Sequence, residues 1–360
     1  MVSEPSASGI DSPLIVQRES PLEQTDWNTR LSSFPGSGIF YTREWAAVLH
    51  DSYGFTPVYF CAKEKGRTVG LFPVMEVNSW LTGRRGVSLP FTDHCEPLER
   101  LDNSSGPLFQ EILKHARSRQ WKHWEWRGER GVAREFTNFR PSLSFFTHDL
   151  NLQRAPEILF NGFESSVRRA LRKAEKSGVT VEVSRELSSV LEFYRLHCQT
   201  RKEHGLPPQP LAFFLNIHRH ILSQDMGMVI SARHENRIVA SAMFFHFGTE
   251  AIYKFGASDA SFQHTRANNL VMWEAIKGYA LKGFKRLSFG RTSLNNEGLR
   301  RFKLGWGAEE SQSRYYKFDF ATNDFATDTD GTVGFHTRVF QALPAPWSRL
   351  VGSILYRHIA

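Results

Sequence analysis

Chemistry in this chain would fall to polar side chains placed where apolar stretches stop. Asp259 follows the apolar run 251–257, and Arg291 and Thr292 follow the run 285–290. Asn295 and Lys303 come next, ahead of Gly305-Trp306-Gly307. Asp259 is of the right type for a base that takes a proton from an acceptor amine; its alternative is a turn or N-cap aspartate. Arg291, behind a strand and a glycine, has the reach to enter a cleft or to sit in a structural ion pair. A second group is cationic. Arg168, Arg169, Arg172, Lys173 and Lys176 crowd one helical segment in which only Glu175 offsets them. Such a face suits the phosphates of tRNA or of a nucleotide-sugar diphosphate. Arg201 and His204 end another helical stretch, where cations suit the helix dipole and substrate contact is the other reading. Asp93-His94-Cys95-Glu96 offers ligand-type side chains. Four consecutive residues do not readily converge on one ion, so no metal is expected and acceptor binding is.

The elements that must position these groups follow from periodicity and punctuation. A helix is expected over 40–50 with Thr42 as N-cap, then a hairpin of strands 56–62 and 67–77. The loop 88–97, a helix 108–119 and strands 123–127 and 145–150 complete the first part. The basic helix spans 162–177, with Val167, Leu171 and Ala174 as its apolar stripe, Ser165 or Ser166 as cap and Gly178 at C′. A strand 179–184, helices 187–203 and 211–222, and a hairpin of 226–233 and 237–247 follow. The last series is strand 251–257, helix 268–282, strand 285–289, a polar turn at 290–292, helix 297–303 and strand 314–320. Residues 1–25 read as a disordered tail, 321–334 as a linker, and 335–358 as a terminal helix interrupted near Pro344 and Pro346. One repeat stands out. Residues 58–77 lie on 228–247 without a gap, so that Ala62 meets Ala232, Arg67 meets Arg237 and Val69 meets Val239. Hairpin, helix and strand then recur in that order, which points to a duplicated fold.

Composition narrows the class. The chain has 360 residues, of which 41% are hydrophobic and 23% charged, enough for a packed core and a prior of two domains. The formal net charge of +8 favours acidic partners. Cys61, Cys95 and Cys198 are too few and too scattered for a disulfide framework and suit a reducing cytosol. The first 26 residues lack the apolar run of a signal peptide, and no segment approaches the roughly 18 apolar residues that span a bilayer. The expectation is a cytoplasmic protein, with room for peripheral contact at the inner membrane face.

Several stretches together resemble one family. They are residues 166–179, the run 200–210, Tyr253-Lys-Phe-Gly-Ala-Ser-Asp259, Trp273-Glu-Ala-Ile276, Phe289-Gly-Arg-Thr292, and 298–307 with Phe302-Lys303. The chain resembles the Fem-type peptidyltransferases and the related GNAT-like proteins of bacterial envelope and exopolysaccharide clusters. The likeness is dense over 160–318 and weaker over 38–98, where Trp45, Gly54, Gly70, Pro73 and the run 88–93 fit. It implies an α/β (α+β) fold of two tandem GNAT-like domains, each a mixed sheet flanked by helices, with divisions at 26–155 and 156–320 and a linker and helix over 321–360. It places Lys303 near an acyl-transfer centre, where a cation stabilises the developing oxyanion; the alternative is a solvated helix lysine. Asp93 and His94 fall on a loop that in the family lies near the cleft. Tyr253 and Phe302 belong to the matching motifs and are expected at the substrate. Fem-type enzymes take aminoacyl-tRNA and other GNAT folds take acyl-CoA, so the donor is one of these and no cofactor is bound permanently. GNAT enzymes cradle the CoA pyrophosphate on a Gly-rich turn; here that place, 263–270, has no glycine, which disfavours ordinary CoA binding. The expected activity is transfer of an acyl or aminoacyl group onto an acidic, lipid-linked or nucleotide-linked saccharide precursor. The alternatives are a CoA-dependent N-acetyltransferase and a binding protein without chemistry.

Overall fold

The computed structural model describes residues 14–100, 105–128, 140–327, 340–341 and 343–358. Its first half opens with strand β1 (Ile15–Glu19), short helix α1 (Trp27–Leu31) and helix α2 (Arg43–Tyr53). Thr42 starts α2, its hydroxyl accepting from the Trp45 N–H at 3.2 Å, and Gly54 closes it in the left-handed conformation. Such a cap contributes about 1 kcal/mol. Strands β2 (Thr56–Pro57), β3 (Tyr59–Glu64), β4 (Arg67–Phe72), β5 (Met75–Ser79), β6 (Gly83–Val87) and β7 (Leu98–Glu99) follow. Helix α3 (Ser105–Ser118), β8 (His123–Arg127) and β9 (Leu143–Asn151) complete this half. The second half runs α4 (Pro156–Gly162), α5 (Ser165–Lys176), β10 (Thr180–Ser184), α6 (Leu187–Glu203) and α7 (Leu211–His220). Next come β11 (Gly227–His234), β12 (Arg237–Phe247), β13 (Glu250–Ser258) and α8 (Ala267–Leu281). The chain then forms β14 (Arg286–Ser293), α9 (Glu297–Leu304), β15 (Glu309–Asp319), β16 (Asp324–Phe325) and α10 (Ala345–Leu355).

The repeat read in the sequence is a repeat of structure. β3–β4 and β11–β12 are hairpins whose turns, Lys65-Gly66 and Glu235-Asn236, hold both central residues at positive φ, the geometry that matches strand twist. Each hairpin shifts register at the same place, Ala62/Lys63 in one and Ala232/Arg233 in the other. The incoming strand pairs identically: Ile15 faces Lys63, and Thr180 faces Arg233. An antiparallel strand, a helix and a parallel strand then follow in both, β6–α3–β8 and β13–α8–β14. The halves part at Pro73. Proline has no N–H to continue a ladder, so β4 ends at Phe72 and β5 enters a different sheet. At the aligned place, β12 stays one strand, and its register with β13 shifts between Met243 and Phe244.

The halves are joined by exchanged strands. The large sheet runs β10-β11-β12-β13-β14-β9-β15-β8-β6-β5-β2, with β16 beside β15, and a smaller sheet runs β1-β3-β4-β7. β9, from before the midpoint, lies between β14 and β15, and β15, from near the end, pairs with β8 of the first half. A shared aromatic core backs this: Trp45 of α2 is fully buried, with its ring 6.2 Å from Phe213 of α7 and 6.1 Å from Phe245.

Several expectations are corrected. The tail placed over 1–25 is ordered from residue 14: β1 is short and its Ile15 is exposed, so only long-range pairing with β3 reveals it. Residues 290–292 are not a turn but part of β14, kept in the sheet by β9. Neither Ser165 nor Ser166 caps α5, whose N-cap is Glu164, although Val167, Leu171 and Ala174 form its buried stripe. The linker of 321–334 carries β16, and its residues 328–334 lie outside the described residues. The expected break near Pro344 is present: residues 340–341 are helical, 343–344 are not, and α10 starts at Ala345 with Pro344 as its N-cap, while 335–339 and 342 lie outside the described residues.

Candidate active site

Two bulges on adjacent strands converge on one carboxylate. In β13, Met243 faces Phe255 and Phe244 faces Tyr253, so Lys254 is the extra residue and turns out of the ladder. In β14, Ser288 faces Asp149 and Arg291 faces Thr147, leaving Phe289 and Gly290 opposite His148 alone. β13 and β14 run parallel only from Glu250–Arg286 to Ile252–Ser288 and are unpaired with each other beyond it. The bulges stand where that pairing stops.

Asp93 fills the space between them. Its Oδ2 accepts from Lys254 Nζ at 2.8 Å, and Arg291 Nε lies 4.0 Å from Oδ1. A Cβ built on Gly290, at φ 69°, would touch this carboxylate at 3.4 Å. The loop carrying Asp93 is braced at the backbone: Tyr315 donates to Asp93 O at 2.8 Å, and Arg127 donates to Leu89 O at 2.9 Å and Thr92 O at 2.6 Å. Lys254 sits under the Phe40 and Phe255 rings, and the Arg291 guanidinium stacks 4.4 Å from the centre of Phe145. Burial pushes the Asp93 carboxyl up, but Lys254 and Arg291 outweigh it and hold the group below the usual carboxylate range. Lys254 is pulled down by burial against the opposing pull of Asp93. With the carboxylate held ionised among cations, the ion pair is the state the geometry supports.

Lys303, on α9, is buried rather than solvated. Its ammonium donates to two carbonyls of the β14 bulge, Gly290 O at 3.0 Å and Arg291 O at 2.9 Å. Burial pushes its pKa down to about 8, with Lys254 and Arg291 adding to the effect and Asp93 opposing it.

A cavity of about 260 Å³ opens between the halves beside this cluster; Asp93 and Gly290 line it, while Lys254, Arg291 and Lys303 stand behind them. Residues 36–41 and Ile252 form an apolar wall, and Thr147, Ser288, Ser311 and Ser313 a hydroxyl-rich floor. Asp93, His94, Asp149, Glu250 and Arg286 line its charged side. Arg286 is tied to Glu250 and to Asp149. A second cavity, of about 190 Å³, lies at the outer end of β13 against the start of α8, lined by Asp259, Arg266, Asn268 and Phe302 among others. There Arg266 adopts φ 60°, the conformation a glycine would take, just where the sequence lacks one.

Among the residues singled out in the sequence, Lys303, Arg291, Asp93 and His94 come together. Asp259 and Phe302 sit in the second cavity. Asp259 Oδ1 accepts from both Ser261 N–H and Ser261 Oγ, and its pKa is lowered chiefly by the Ser261 hydroxyl, so it is a turn-capping aspartate and a weak base. Tyr253 packs its ring on Phe244 with its hydroxyl folded over Gly256, and burial raises its pKa to about 12. Arg169, Arg172 and Lys173 are exposed on the outer face of α5, and Arg168 donates to Asn161 O; none of the four lines either cavity. Arg201 is not at the site: it brackets the chain end through Tyr356 OH at 2.7 Å and Pro207 O at 3.2 Å, and His204 is exposed. The side chains of 93–96 diverge: Asp93 to Lys254, His94 outward to Glu96, and Cys95 into the core. Among the described residues no three His, Cys, Asp or Glu gather as for a metal.

Lys254, Tyr315 and Arg127 went unread in the sequence. A lysine within the apolar run 251–257 was the available signal for the first; the other two depend on strands brought together by the exchange.

Comparison with known proteins fits this architecture. Residues 162–317 match the family model described as the acetyltransferase (GNAT) domain, so the second half is a GNAT-type domain. The fold of the whole chain is that of tandem GNAT-like proteins. FemX shares 13% identity at a TM-score of 0.65, over 86% of this chain and 98% of its own. The C-terminal domain of a protein described as a lysylphosphatidylglycerol synthetase from Agrobacterium fabrum shares 13% identity at 0.53, over 83% and 93%. A tandem GNAT protein from the clavulanic acid biosynthesis pathway shares 8% identity at 0.54, over 85% and 98%. No curated protein sequence matches the chain.

Proposed function

We propose that this chain is an acyltransferase that joins an acyl or aminoacyl group to an amine or hydroxyl of a cell-envelope or exopolysaccharide precursor. The observation that carries the reading is the convergence of the β13 and β14 bulges on Asp93, with Lys254, Arg291 and Lys303 around it. The acceptor occupies the cavity between the halves, with its nucleophile towards Asp93. The donor reaches from the α8 cavity along the opening between β13 and β14. As the acceptor's lone pair attacks the acyl carbonyl, negative charge grows on the carbonyl oxygen beside Lys254 and Arg291; when the carbonyl re-forms, the acyl–donor bond breaks and the CoA sulfur or tRNA 3′-oxygen leaves, taking up the proton that the acceptor's amine or hydroxyl gives up. Lys303 is a positioning residue: it holds the Gly290 and Arg291 carbonyls and so fixes the bulge that places Arg291. The nucleophile belongs to the substrate, so no covalent enzyme intermediate is needed. An envelope acceptor is favoured by the company of the fold, which includes FemX and a lysylphosphatidylglycerol synthetase.

The donor decides between two versions of this reading. The α8 cavity and the acetyltransferase match of 162–317 favour acyl-CoA, whereas Arg266 in place of a glycine and the exposed cations of α5 favour aminoacyl-tRNA. Mass spectrometry of material co-purified with the chain, followed by turnover assays with acyl-CoA and with charged tRNA, tests both. Consumption of either donor in the wild type, and its loss in Lys254→Met, supports the assignment; if neither donor is bound or consumed, it fails. With a tRNA donor, Arg169→Ala with Arg172→Ala should lower the salt slope of binding by about 1 to 2. An unchanged slope removes α5 from the donor site.

A further inference from the structure

Helix α10 is amphipathic in the inverse sense. It packs on the second half through its small residues: Ser348 and Gly352 are buried, and a Cβ on Gly352 would meet Pro208 O at 2.1 Å. Tyr356 continues this inner row, its hydroxyl bonded to Pro207 O and Arg201. The large apolar residues face outward. Trp347 is 60% exposed, Leu350 50% and Ile354 54%, and their spacing places them on one face of the helix. Beside the helix's end stands the tip of the β5–β6 hairpin, where Trp80 is 83% and Leu81 55% exposed. The two features are fixed to each other. The Trp80 ring lies 5.4 Å from His358, whose Nδ1 is 2.9 Å from Ser79 Oγ and whose carbonyl accepts from Thr82 and Arg85.

Cations flank this apolar face. A cavity of about 300 Å³ alongside α10 is lined by Arg195, Lys202 and Arg349, with Cys198, Gln199, Pro208 and Ser348, and by no carboxylate. Residues 331–360 contain three arginines and no Asp or Glu. Glu192 is nearby on α6 but is paired with Arg195 at 3.2 Å. Protruding tryptophans and aliphatic side chains next to Lys202 and Arg349 match the boundary between acyl chains and anionic headgroups. No helix among the described residues is long and apolar enough to cross a membrane, so contact would be peripheral.

We propose that α10 and the β5–β6 tip form a docking surface for an anionic lipid bilayer, with Trp80, Trp347, Leu350 and Ile354 entering the acyl boundary and Arg195, Lys202 and Arg349 meeting lipid phosphates. This stands independently of the transfer reaction. The test is flotation of the full chain with phosphatidylcholine vesicles, with and without roughly one-third phosphatidylglycerol. Binding should require phosphatidylglycerol and weaken as salt is raised. Trp347→Ser with Ile354→Ser should lower the bound fraction about tenfold, and Trp80→Ser by several-fold, because each removes apolar area from the boundary. Lys202→Glu with Arg349→Glu should abolish the preference for phosphatidylglycerol. All these side chains are exposed, so unchanged melting temperatures separate loss of docking from loss of fold. Failure to float with phosphatidylglycerol vesicles overturns the proposal, as does binding that these variants leave intact. A dimer in sedimentation that Trp347→Ser with Ile354→Ser dissociates would assign the face to a second copy and overturn it too.

Discussion

Lys303 is a buried charge that holds the β14 bulge and, in the proposed reaction, places Arg291. Its pKa falls from 10.5 to about 8 on folding, so the unfolded chain binds that proton more tightly. The resulting penalty, about 3 kcal/mol, is present in full below pH 8 and fades as pH rises towards 10.5. Stability from this residue therefore rises through that window. Lys303→Met removes the penalty but strands two carbonyls, at about 1–3 kcal/mol each. The terms oppose each other, so the melting temperature should move little, while turnover should drop about a hundred- to thousandfold as the bulge loses its anchor. The wild-type rate should show an alkaline limb near pH 8, and Lys303→Arg should shift it out of range while restoring part of the rate. A Lys303→Met enzyme with wild-type turnover and the same limb would remove Lys303 from the mechanism. Asp93 and Lys254 form a tighter test. Asp93→Asn leaves Lys254 buried beside Arg291 without a counter-charge and should destabilise by about 3–5 kcal/mol. Adding Lys254→Met should recover part of that loss in thermal melts; a double variant less stable than Asp93→Asn would show that the two are not a pair.

At the scale of elements, the bulge on β14 depends on Gly290. Its positive φ is strained for any residue with a Cβ, and that atom would reach Asp93. Gly290→Ala should therefore cost about 1–2 kcal/mol in denaturant unfolding and shift the alkaline limb with it; an unperturbed variant would mean the bulge is not rigid. What could be read in the sequence was local. The paired hairpins announced themselves through turn chemistry at Lys65-Gly66 and Glu235-Asn236, and α5 through Val167, Leu171 and Ala174. Asp93 and Lys303 were singled out through motif likeness, and the fold brings them into one cluster. Lys254 was missed because a bulge re-aims a side chain without changing the strand's composition. Residues 290–292 were misread because Gly-Arg-Thr is turn-like alone and is held extended by β9, whose partner residues lie more than a hundred positions away.

For the whole molecule, strand exchange decides what can be separated. A fragment of 156–320 keeps the residues of one GNAT-like domain but lacks β9, leaving facing edges of β14 and β15 unpaired in the middle of a sheet. Expressed alone it should aggregate or fail to show a cooperative transition, and the full chain should unfold in a single step. Two resolved transitions, or a soluble, cooperative fragment, would count against the exchange. The same ladder sets the tempo of ligand traffic. Because β14, β9, β15 and β8 are hydrogen-bonded side by side beneath the cavity, the halves cannot swing apart as plates without tearing the sheet. Access must then be governed by the small rim at Gly36-Ser37-Gly38, where added side chains would find open space. Amide exchange should be slowest along β9 and β15 and fastest at that rim, and a proline at Ser37 should slow product release while leaving the chemical step alone.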